Sequence, residues 1–203
     1  MVNKIKRQKI RKTAMIDMLY KPFQKWSANG SVFLFSDPHF DDDDCKIMDA
    51  NWISAEEQVK IINKKVHKND TIVILGDIGN LEYIKQIKGY KVLIKGNHDD
   101  GPKADYENVF DEVYEGPLFI AEKILLSHER IPSPGFFINI HGHDHAGTEN
   151  DEFHLNLAAN VIGYTPISLK ELIKSGLVSK VPSIHRETIN KATSRKKRRN
   201  KTR

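Results

Sequence analysis

Three features are scarce in this 203-residue chain: cysteine, long apolar runs and, at both ends, acidic residues. Cys45 is the single cysteine, so no disulfide can form within the chain and a reducing compartment is expected. No apolar run approaches the roughly 20 residues that a membrane-spanning helix needs, and the basic N-terminus lacks the apolar core of a signal peptide. We therefore expect a cytoplasmic protein with no membrane association.

The two ends poor in acid are rich in Lys and Arg. Residues 1–12 carry six Lys or Arg and no acid, and residues 180–203 carry ten Lys or Arg with Glu187 as the single acid. Because the net charge of the whole chain is only +5, the stretch between the two ends is net acidic. The basic run 195–199, with few apolar neighbours, is expected to be disordered. It either contacts nucleic-acid phosphates or only keeps the chain in solution, and both alternatives stay open.

Length and composition predict one folded domain with two short extensions. A chain of 203 residues has room for a single core of useful size but not for a large second domain. We assign residues 1–30 to a basic N-terminal extension, residues 31–180 to the folded domain and residues 181–203 to a basic C-terminal tail.

Short apolar runs of strand length recur along the predicted domain. Those at 31–36, 71–75, 91–95, 123–127 and 136–140 are each followed within about three residues by a group of Asp, Asn or His. In open α/β sheets, ligands bind just beyond the carboxyl ends of the strands. These polar groups are therefore expected to meet along one edge of a sheet.

Helical signals alternate with these strands. Ser54 and Ser168 each open a capping box ahead of apolar residues at helical spacing, and Gly176 ends the second of these helices. Residues 81–88 predict a further helix that ends at Gly89. Additional strands are expected at 112–114, 118–121 and 154–158. The alternation predicts an α/β fold, a layered sandwich.

The polar groups form motifs in a fixed order and supply carboxylates, an amide and imidazoles. Mixed oxygen and nitrogen donors of this kind are what a pair of divalent transition-metal ions requires. Each motif alone is weak, but five in order, each after a strand-like run, are specific. The motifs are Asp37-Pro38-His39, Gly76-Asp77, Gly96-Asn97-His98-Asp99, His128 and Gly142-His143-Asp144-His145. Over about residues 31–175 the chain thereby resembles the calcineurin-like metallophosphoesterase superfamily, in particular its small single-domain members.

The resemblance implies a fold and a cofactor. The fold is a layered α/β/β/α-type sandwich of two mixed sheets with flanking helices. The cofactor is a pair of divalent metal ions, with manganese favoured and iron, nickel, cobalt or zinc as alternatives. Asp77 is implied to bridge both ions. The remaining implied metal ligands are Asp37, His39 and His145 for the first ion and Asn97, His128 and His143 for the second.

The chemistry of phosphoester hydrolysis fits this ligand set. Two divalent ions outweigh the two carboxylates, so the centre stays positive and attracts a phosphate anion. The implied nucleophile is a metal-bridging hydroxide, because bound metal lowers the pKa of water from about 15.7 toward about 7. In the resembling family His98 faces the leaving group, and Asp99 is expected to orient its ring. Gly76, Gly96 and Gly142 precede ligand-bearing residues, where the backbone is expected to turn sharply.

The predicted function is therefore a dinuclear metal-dependent phosphoesterase. Phosphodiesterase activity is preferred, because the chain has few insertions that could build a narrow pocket, and nucleotides or nucleic acid are candidate substrates through the basic ends. The alternatives are a phosphomonoesterase and a nucleic-acid-binding protein that keeps the metal centre without turnover. Lys95 and Asp99, where protein phosphatases carry Arg and Glu, disfavour that class. The sequence carries no signal for an oligomeric state.

Several polar residues near the motifs have simpler interpretations. The acidic run 41–44 is expected to be a solvated loop rather than an additional cation site. Arg130 is equally suited to contact a substrate phosphate or to lie solvated at the surface. Asn80 is expected to stabilise a turn, and His141 is left out of the site because it points to the other side of its strand. Structural or exposed positions are expected for His67, His154 and His185.

Overall fold

The computed structural model describes residues 18–183 and Lys191. Its strands are β1 (Val32–Phe35), β2 (Thr71–Ile74), β3 (Tyr90–Ile94), β4 (Glu112–Tyr114), β5 (Leu118–Ala121), β6 (Ile124–Leu126), β7 (Ile138–His141), β8 (His154–Asn156) and β9 (Ile167–Ser168). Its α-helices are α1 (Cys45–Met48), α2 (Ala55–Lys65), α3 (Lys103–Glu107) and α4 (Leu169–Lys174). Short 3₁₀-helices span Lys21–Ser27, Leu81–Gln86 and Val178–Lys180.

The strands form two mixed sheets. The first has the order β4-β3-β2-β1-β9, in which β1 to β4 pair in parallel and β9 runs antiparallel to β1. The second has the order β5-β6-β7-β8, with β5 antiparallel to β6 and the other pairs parallel. The predicted α/β sandwich of two mixed sheets with flanking helices is confirmed.

Alternation along the central strands separates two hydrophobic layers. In β1, Phe33 and Phe35 belong to a core that also contains Val59 and Ile62 of helix α2. Val32 and Leu34 point the other way, into a core shared with strands of the second sheet. Because successive strand side chains point to opposite faces, one strand can serve both layers. All four of these β1 residues are buried, which is why the strand reads as a continuous apolar run.

The described part of the N-terminal extension packs onto the sandwich. Leu19, Phe23 and Trp26 join the core between the two sheets, and the Trp26 Nε1–H donates to Glu112 Oε1 at 2.8 Å. The domain boundaries assigned from the sequence stay a prediction. The basic residues 1–17, the predicted disorder of 195–199 and His185 lie outside the described residues.

The two predicted capping boxes differ in the structure. Ser54 Oγ accepts a hydrogen bond from the Glu57 N–H at 3.3 Å, so the cap of α2 is confirmed. Helix α4 is also present, but Ser168 makes no capping hydrogen bond with its side chain. Ser168 is buried and pairs with Phe33 as the last residue of β9, so strand pairing fixes the chain at the point where α4 begins.

The helix predicted at 81–88 is a shorter 3₁₀-helix, Leu81–Gln86. Asn80 stabilises its start, as expected, because its Oδ1 accepts from the Glu82 N–H at 3.0 Å. Within the part of the chain that the structure describes, every helix is too short or too polar to cross a membrane.

Candidate metal centre

Five loops bring the polar motifs together at one edge of the molecule. Each loop follows the carboxyl end of β1, β2, β3, β6 or β7, and these strands run in parallel within their sheets. Their side chains converge into two groups of potential metal donors, whose atoms lie within 4.8 Å of one another in each group. The convergence expected from the order of strands and motifs is confirmed.

The first donor cluster consists of Asp37, His39 and His145. The His145 Nε2 atom lies 3.7 Å from Asp37 Oδ1. His39 Nε2 lies 3.6 Å from Asp77 Oδ2 and is buried without a hydrogen-bond partner. A buried imidazole nitrogen that faces carboxylates and has no donor to pair with is suited to binding a cation.

The second donor cluster consists of Asp77, His128 and His143, with Asn97 beside it. Asn97 Oδ1 lies 2.8 Å from His128 Nε2 and 3.1 Å from His143 Nδ1. His128 Nε2 lies 3.3 Å from Asp77 Oδ2. The same Asp77 oxygen faces His39 of the first cluster, so Asp77 stands between the two clusters, where the sequence interpretation placed a bridging carboxylate.

The outer nitrogens of three imidazoles are held by acceptors. His39 Nδ1 lies 2.9 Å from Asp42 Oδ2, and His145 Nδ1 lies 3.1 Å from Asn160 Oδ1. His128 Nδ1 lies 2.7 Å from the carbonyl oxygen of Leu75. Metal-binding histidines commonly donate their second N–H in this way, which fixes the tautomer and aims the other nitrogen at the ion. In each of these three rings Nε2 is the atom left to face the centre.

Hydrogen bonding at His128 provides a test of whether a cation fits. The Leu75 carbonyl can only accept, so His128 Nδ1 carries the proton, and Nε2 of the neutral ring is an acceptor. That Nε2 faces the acceptor oxygens of Asn97 and Asp77. Acceptors this close need a proton or a cation between them, and donors held about 2.0–2.2 Å from one ion lie about 3 Å apart. The donor set therefore fits a divalent metal ion.

The pKa shifts of Asp37, Asp77 and His128 are also consistent with a positive charge at this centre. Burial raises the pKa of the Asp37 carboxyl, although the His128 ring acts against this. Burial would also raise the pKa of Asp77, but the hydrogen bond and charge of His128 outweigh it and the pKa is lowered. Burial disfavours the charged form of His128, yet Asp77 and Asp37 raise its pKa to about 9. The environment of the two carboxylates thus favours positive charge, supplied by a proton on His128 or by a cation.

Backbone strain is concentrated at the same residues. Asp37, His39, Asp77 and His143 have left-handed φ angles of 55°, 41°, 53° and 67°. Residues other than glycine rarely adopt this conformation, and such strain clusters at binding and catalytic sites. Four of the seven residues predicted as ligands therefore have a backbone conformation that the surrounding fold must hold in place.

Two glycines allow the ligand loops to approach one another. A Cβ atom at Gly142 would lie 1.9 Å from Ser36 Oγ and 2.0 Å from Asp37 Oδ2. A Cβ at Gly96 would lie 2.2 Å from Asp77 Oδ1. Crowding by neighbouring loops therefore explains glycine at these two positions, whereas of the three glycines at which a sharp turn was predicted, Gly76 has a left-handed φ, 91°.

Asp99 has a different place from the one predicted. Its oxygens accept from the backbone N–H groups of Asp77 and Gly96 at 2.8 Å and of Ile78 at 3.0 Å. No hydrogen bond joins it to His98 among the described residues. Asp99 therefore ties the Gly96 loop to the Asp77 loop, because a buried carboxylate can satisfy several N–H groups at once.

Three residues that the sequence interpretation missed support the histidines: Asp42, Asn160 and Trp52. Asp42 lies in the acidic run 41–44, which was expected to be only a solvated loop, and its place three residues after His39 was the available signal. Asn160 and the Trp52 ring, 5.6 Å from the His145 ring, had no local signal. Both lie far from His145 in sequence and reach it only through the fold.

Arg130 is paired away from the donor clusters. Its Nη2 lies 2.8 Å from Asp151 Oδ2 and 3.1 Å from His154 Nδ1. His154 is buried, as expected for a structural histidine, and His67 is exposed. His141 is buried and makes its hydrogen bond to the Gly142 carbonyl, outside both clusters.

A third group of potential donors, His39, Asp42 and Cys45, lies on the outer side of His39. Burial and the nearby acids raise the pKa of the Cys45 thiol to about 12, which disfavours the thiolate that a metal would need. His39 Nδ1 and Asp42 already pair with each other. Through the contact between Asp42 and His39, this group supports the first cluster.

Similarity to known proteins agrees with this geometry. The family model for calcineurin-like phosphoesterases matches residues 30–192. The chain belongs to this family. Family membership implies a phosphate ester hydrolase that depends on two metal ions, and the two donor clusters are where this calcineurin-like phosphoesterase could hold them.

Two solved structures are similar to this chain, and the first of them shares its fold. The protein of unknown function AQ665 from Aquifex aeolicus is 24% identical, with a TM-score of 0.58, and the match covers 71% of this chain and 98% of that one. Nuclease MPE from Pseudomonas putida is 21% identical, with a TM-score of 0.40, and the match covers 55% of this chain and 60% of that one. Among curated proteins, none matches the sequence.

Proposed function

We propose that this calcineurin-like phosphoesterase hydrolyses phosphodiesters with two divalent metal ions. Asp37, His39, His145 and Asp77 would hold the first ion, and Asp77, Asn97, His128 and His143 would hold the second. The observation that carries the proposal is the pair of neighbouring donor clusters with Asp77 between them. Asp77 Oδ2 lies 3.6 Å from His39 Nε2 of the first cluster and 3.3 Å from His128 Nε2 of the second.

The ligand set leaves the loaded centre positively charged. Asp37 and Asp77 are its only carboxylates, and its other ligands are neutral imidazoles and an amide. When bound, two divalent ions supply the positive charge that attracts a phosphate and make a water molecule more acidic. The protein's part is to hold these donors in place, through Asp42 and Asn160 on the histidines and through Asp99 on the loops.

His98 is proposed as the general acid for the departing oxygen. Its backbone N–H donates to Asp77 Oδ1 at 3.0 Å, which fixes its position beside both clusters. Its ring lies 5.5 Å from the His39 ring between centroids, and the residue is exposed. An exposed imidazole next to the centre can give a proton to the leaving group and regain it from solvent. Asp99 acts as a positioning residue for the His98 loop.

The preference for diesters rests on the small size of the domain. The segments between the motifs are short and mostly belong to the sandwich, so little chain is available to close over the site. A second substituent on the phosphate can therefore be accommodated. Phosphodiesters of nucleotides or nucleic acid are candidate substrates, because the predicted basic ends of the chain would attract them.

A panel of aryl esters tests this proposal. Metal content is measured by elemental analysis, with manganese as the favoured ion and iron, nickel, cobalt and zinc compared. With manganese added, we expect faster hydrolysis of bis(p-nitrophenyl) phosphate than of p-nitrophenyl phosphate. Faster cleavage of the monoester would make the protein a phosphomonoesterase.

Loss of the C-terminal tail separates an enzyme of small esters from a nucleic-acid-binding protein without turnover. Removing residues 186–203 should leave the hydrolysis rate of small esters unchanged and weaken any nucleic-acid binding at low salt. A full-length protein that takes up metal, binds nucleic acid and cleaves no ester would establish the binding alternative.

A further inference from the structure

A groove of about 240 Å³ opens beside the second donor cluster. We call it the side groove. Asn97 and His128, both proposed ligands of the second ion, line it together with Pro117, Arg130 and Ile131. The side groove is therefore continuous with the place where a phosphate would bind.

The loop that forms one wall of the side groove is fixed by a buried amide. Asn139 is fully buried; its Nδ2 donates to Ser127 Oγ at 2.8 Å and its Oδ1 accepts from the Ile131 N–H at 2.7 Å. Ser127 Oγ in turn donates to the Glu129 carbonyl at 2.6 Å. A wall that is already ordered does not need to be ordered by the ligand, which favours binding.

The positive and negative side chains around the side groove balance one another, and its two basic residues already have partners. Lys95 and Arg130 line it, but so do Glu115 and Glu129. The Lys95 ammonium donates to the Gly101 carbonyl at 2.8 Å, and Arg130 pairs with an aspartate. A groove of this kind is a poor site for a second phosphate. The apolar residues that line it, among them Pro117 and Ile131, suit a neutral organic group.

We propose that the side groove receives the substituent of a phosphodiester that stays attached to phosphorus, a neutral group about the size of one ring. This rests on the proposed function. The His98 ring lies against His39 of the first cluster, and His98 does not line the side groove. The departing group is thus expected beside His98, and the retained group beside Asn97 and His128.

The volume of the side groove and the number of substituents on the phosphate together define the substrate class. The volume of the side groove falls below the roughly 300–1,000 Å³ of pockets that enclose drug-sized ligands, so it holds one ring rather than a chain of them. A phosphomonoester has no second substituent and gains nothing from this contact. The side groove therefore makes the site select diesters with a single-ring aryl group over monoesters and over diesters with a methyl group.

Two diesters with the same leaving group test the proposal. Bis(p-nitrophenyl) phosphate and methyl p-nitrophenyl phosphate both release p-nitrophenolate and differ only in the retained substituent. The measured quantity is the ratio of their kcat/KM values, compared between variants so that intrinsic reactivities cancel. Ile131→Trp, which fills the side groove, should lower this ratio about tenfold, equivalent to ~1.4 kcal/mol.

Two further variants distinguish the loss of the groove contact from the general effect of introducing a tryptophan. Ile47→Trp makes the same change at a residue that is 83% exposed and does not line the side groove, and it should keep the wild-type ratio. Ile131→Ala removes the apolar contact without adding bulk and should also lower the ratio, which covers the case in which the tryptophan variant fails to fold. An unchanged ratio in both Ile131 variants would overturn the proposal while leaving the proposed function intact.

Binding gives a readout that does not depend on turnover. Calorimetry on the manganese-loaded protein should show tighter binding of diphenyl phosphate than of dimethyl phosphate, and Ile131→Trp should remove the difference. If the wild type hydrolyses no phosphoester, the proposed function fails. The difference in affinity between the two diesters still tests whether the side groove binds the retained substituent. Equal affinity of the wild type for both diesters would overturn this inference.

Discussion

His98 illustrates how a single residue can be held in the site without being a metal ligand. Its backbone N–H is bound to Asp77, whereas its ring is exposed and has no hydrogen bond among the described residues. The side chain is therefore free to meet a leaving group. Removing the ring leaves the backbone contact, so its removal tests chemistry separately from metal binding.

We predict that His98→Ala lowers kcat about 10²–10⁴-fold, the usual contribution of a general acid. Metal content per chain, measured by elemental analysis, should stay at the wild-type value. His67→Ala serves as the control, because His67 is an exposed histidine outside both clusters. An unchanged kcat in His98→Ala would remove His98 from the mechanism.

Asp42 and Asp43 are adjacent acids with different surroundings. Asp42 Oδ2 contacts His39 Nδ1 at 2.9 Å, whereas Asp43 is exposed. Asp42 can therefore orient a ligand of the first ion, as carboxylates behind metal-binding histidines do. Asp43 shares its charge and its neighbourhood in sequence but not this contact.

We predict that Asp42→Ala weakens metal binding at one of the two sites about 10–100-fold, the usual effect of losing such a partner. Calorimetric titration of the metal-depleted protein should resolve one weakened site and one unchanged site. Asp43→Ala should bind both ions as the wild type does. Equal weakening by both variants would show that general negative charge is responsible, and not the contact with His39.

At the scale of elements, the loops between strands and helices bear the strain of the site. Asp37 and His39 follow β1, Asp77 follows β2 and His143 follows β7, all with left-handed backbone. The strands themselves are regular and buried on both faces. Regular strands thus fix the ends of the loops, and this allows unfavourable loop conformations to persist.

Helices α2 and α4 begin with similar capping-box sequences but differ in their observed caps. Ser54 accepts a hydrogen bond from Glu57 N–H at the start of α2, and Ser168 makes no capping bond at the start of α4. We predict that Ser54→Ala lowers the free energy of unfolding by about 1 kcal/mol, within the usual 0.5–2 kcal/mol for a lost cap. Ser168→Ala should lower it less. Urea denaturation of both variants measures the difference, and equal losses would contradict the observed caps.

At the scale of the whole molecule, the donor clusters connect the two sheets. Asp37, Asp77 and Asn97 follow strands of the first sheet, and His128 and His143 follow strands of the second. An ion bound to donors from both sheets links them in the folded state alone. Metal binding should therefore stabilise the complete sandwich.

We predict that divalent manganese at about 100 times its dissociation constant raises the unfolding free energy by about 2.7 kcal/mol. For a domain of this size that corresponds to an increase in Tm of about 5–10 °C, measured by thermal denaturation with and without a chelator. Potassium chloride at the same ionic strength should not reproduce the increase, because screening acts on exposed charges only. A metal-independent Tm would argue against a bridged centre.

The sequence predicted the strands and the residues that meet, and the reason lies in local patterns. The apolar run 71–75 corresponds to β2, because it is short, rich in β-branched residues and buried on both faces. It was less successful for 81–88, where the 3₁₀ conformation of Leu81–Gln86 replaces an α-helix. It also missed Asn160 and the role of Asp42, because hydrogen-bond partners across loops leave no periodic signal.

By itself, then, the sequence determined the family, the fold class and which side chains gather at one edge, since these depend on patterns and motifs along the chain. The assignment of those side chains to individual metal ions stays a prediction. Tertiary structure alone decided which atoms face one another, that Asp99 binds the backbone instead of His98, and that Asn160 supports His145. It also decided where the side groove lies. These features depend on distances between residues far apart in the chain, and such distances exist only once the two sheets have packed.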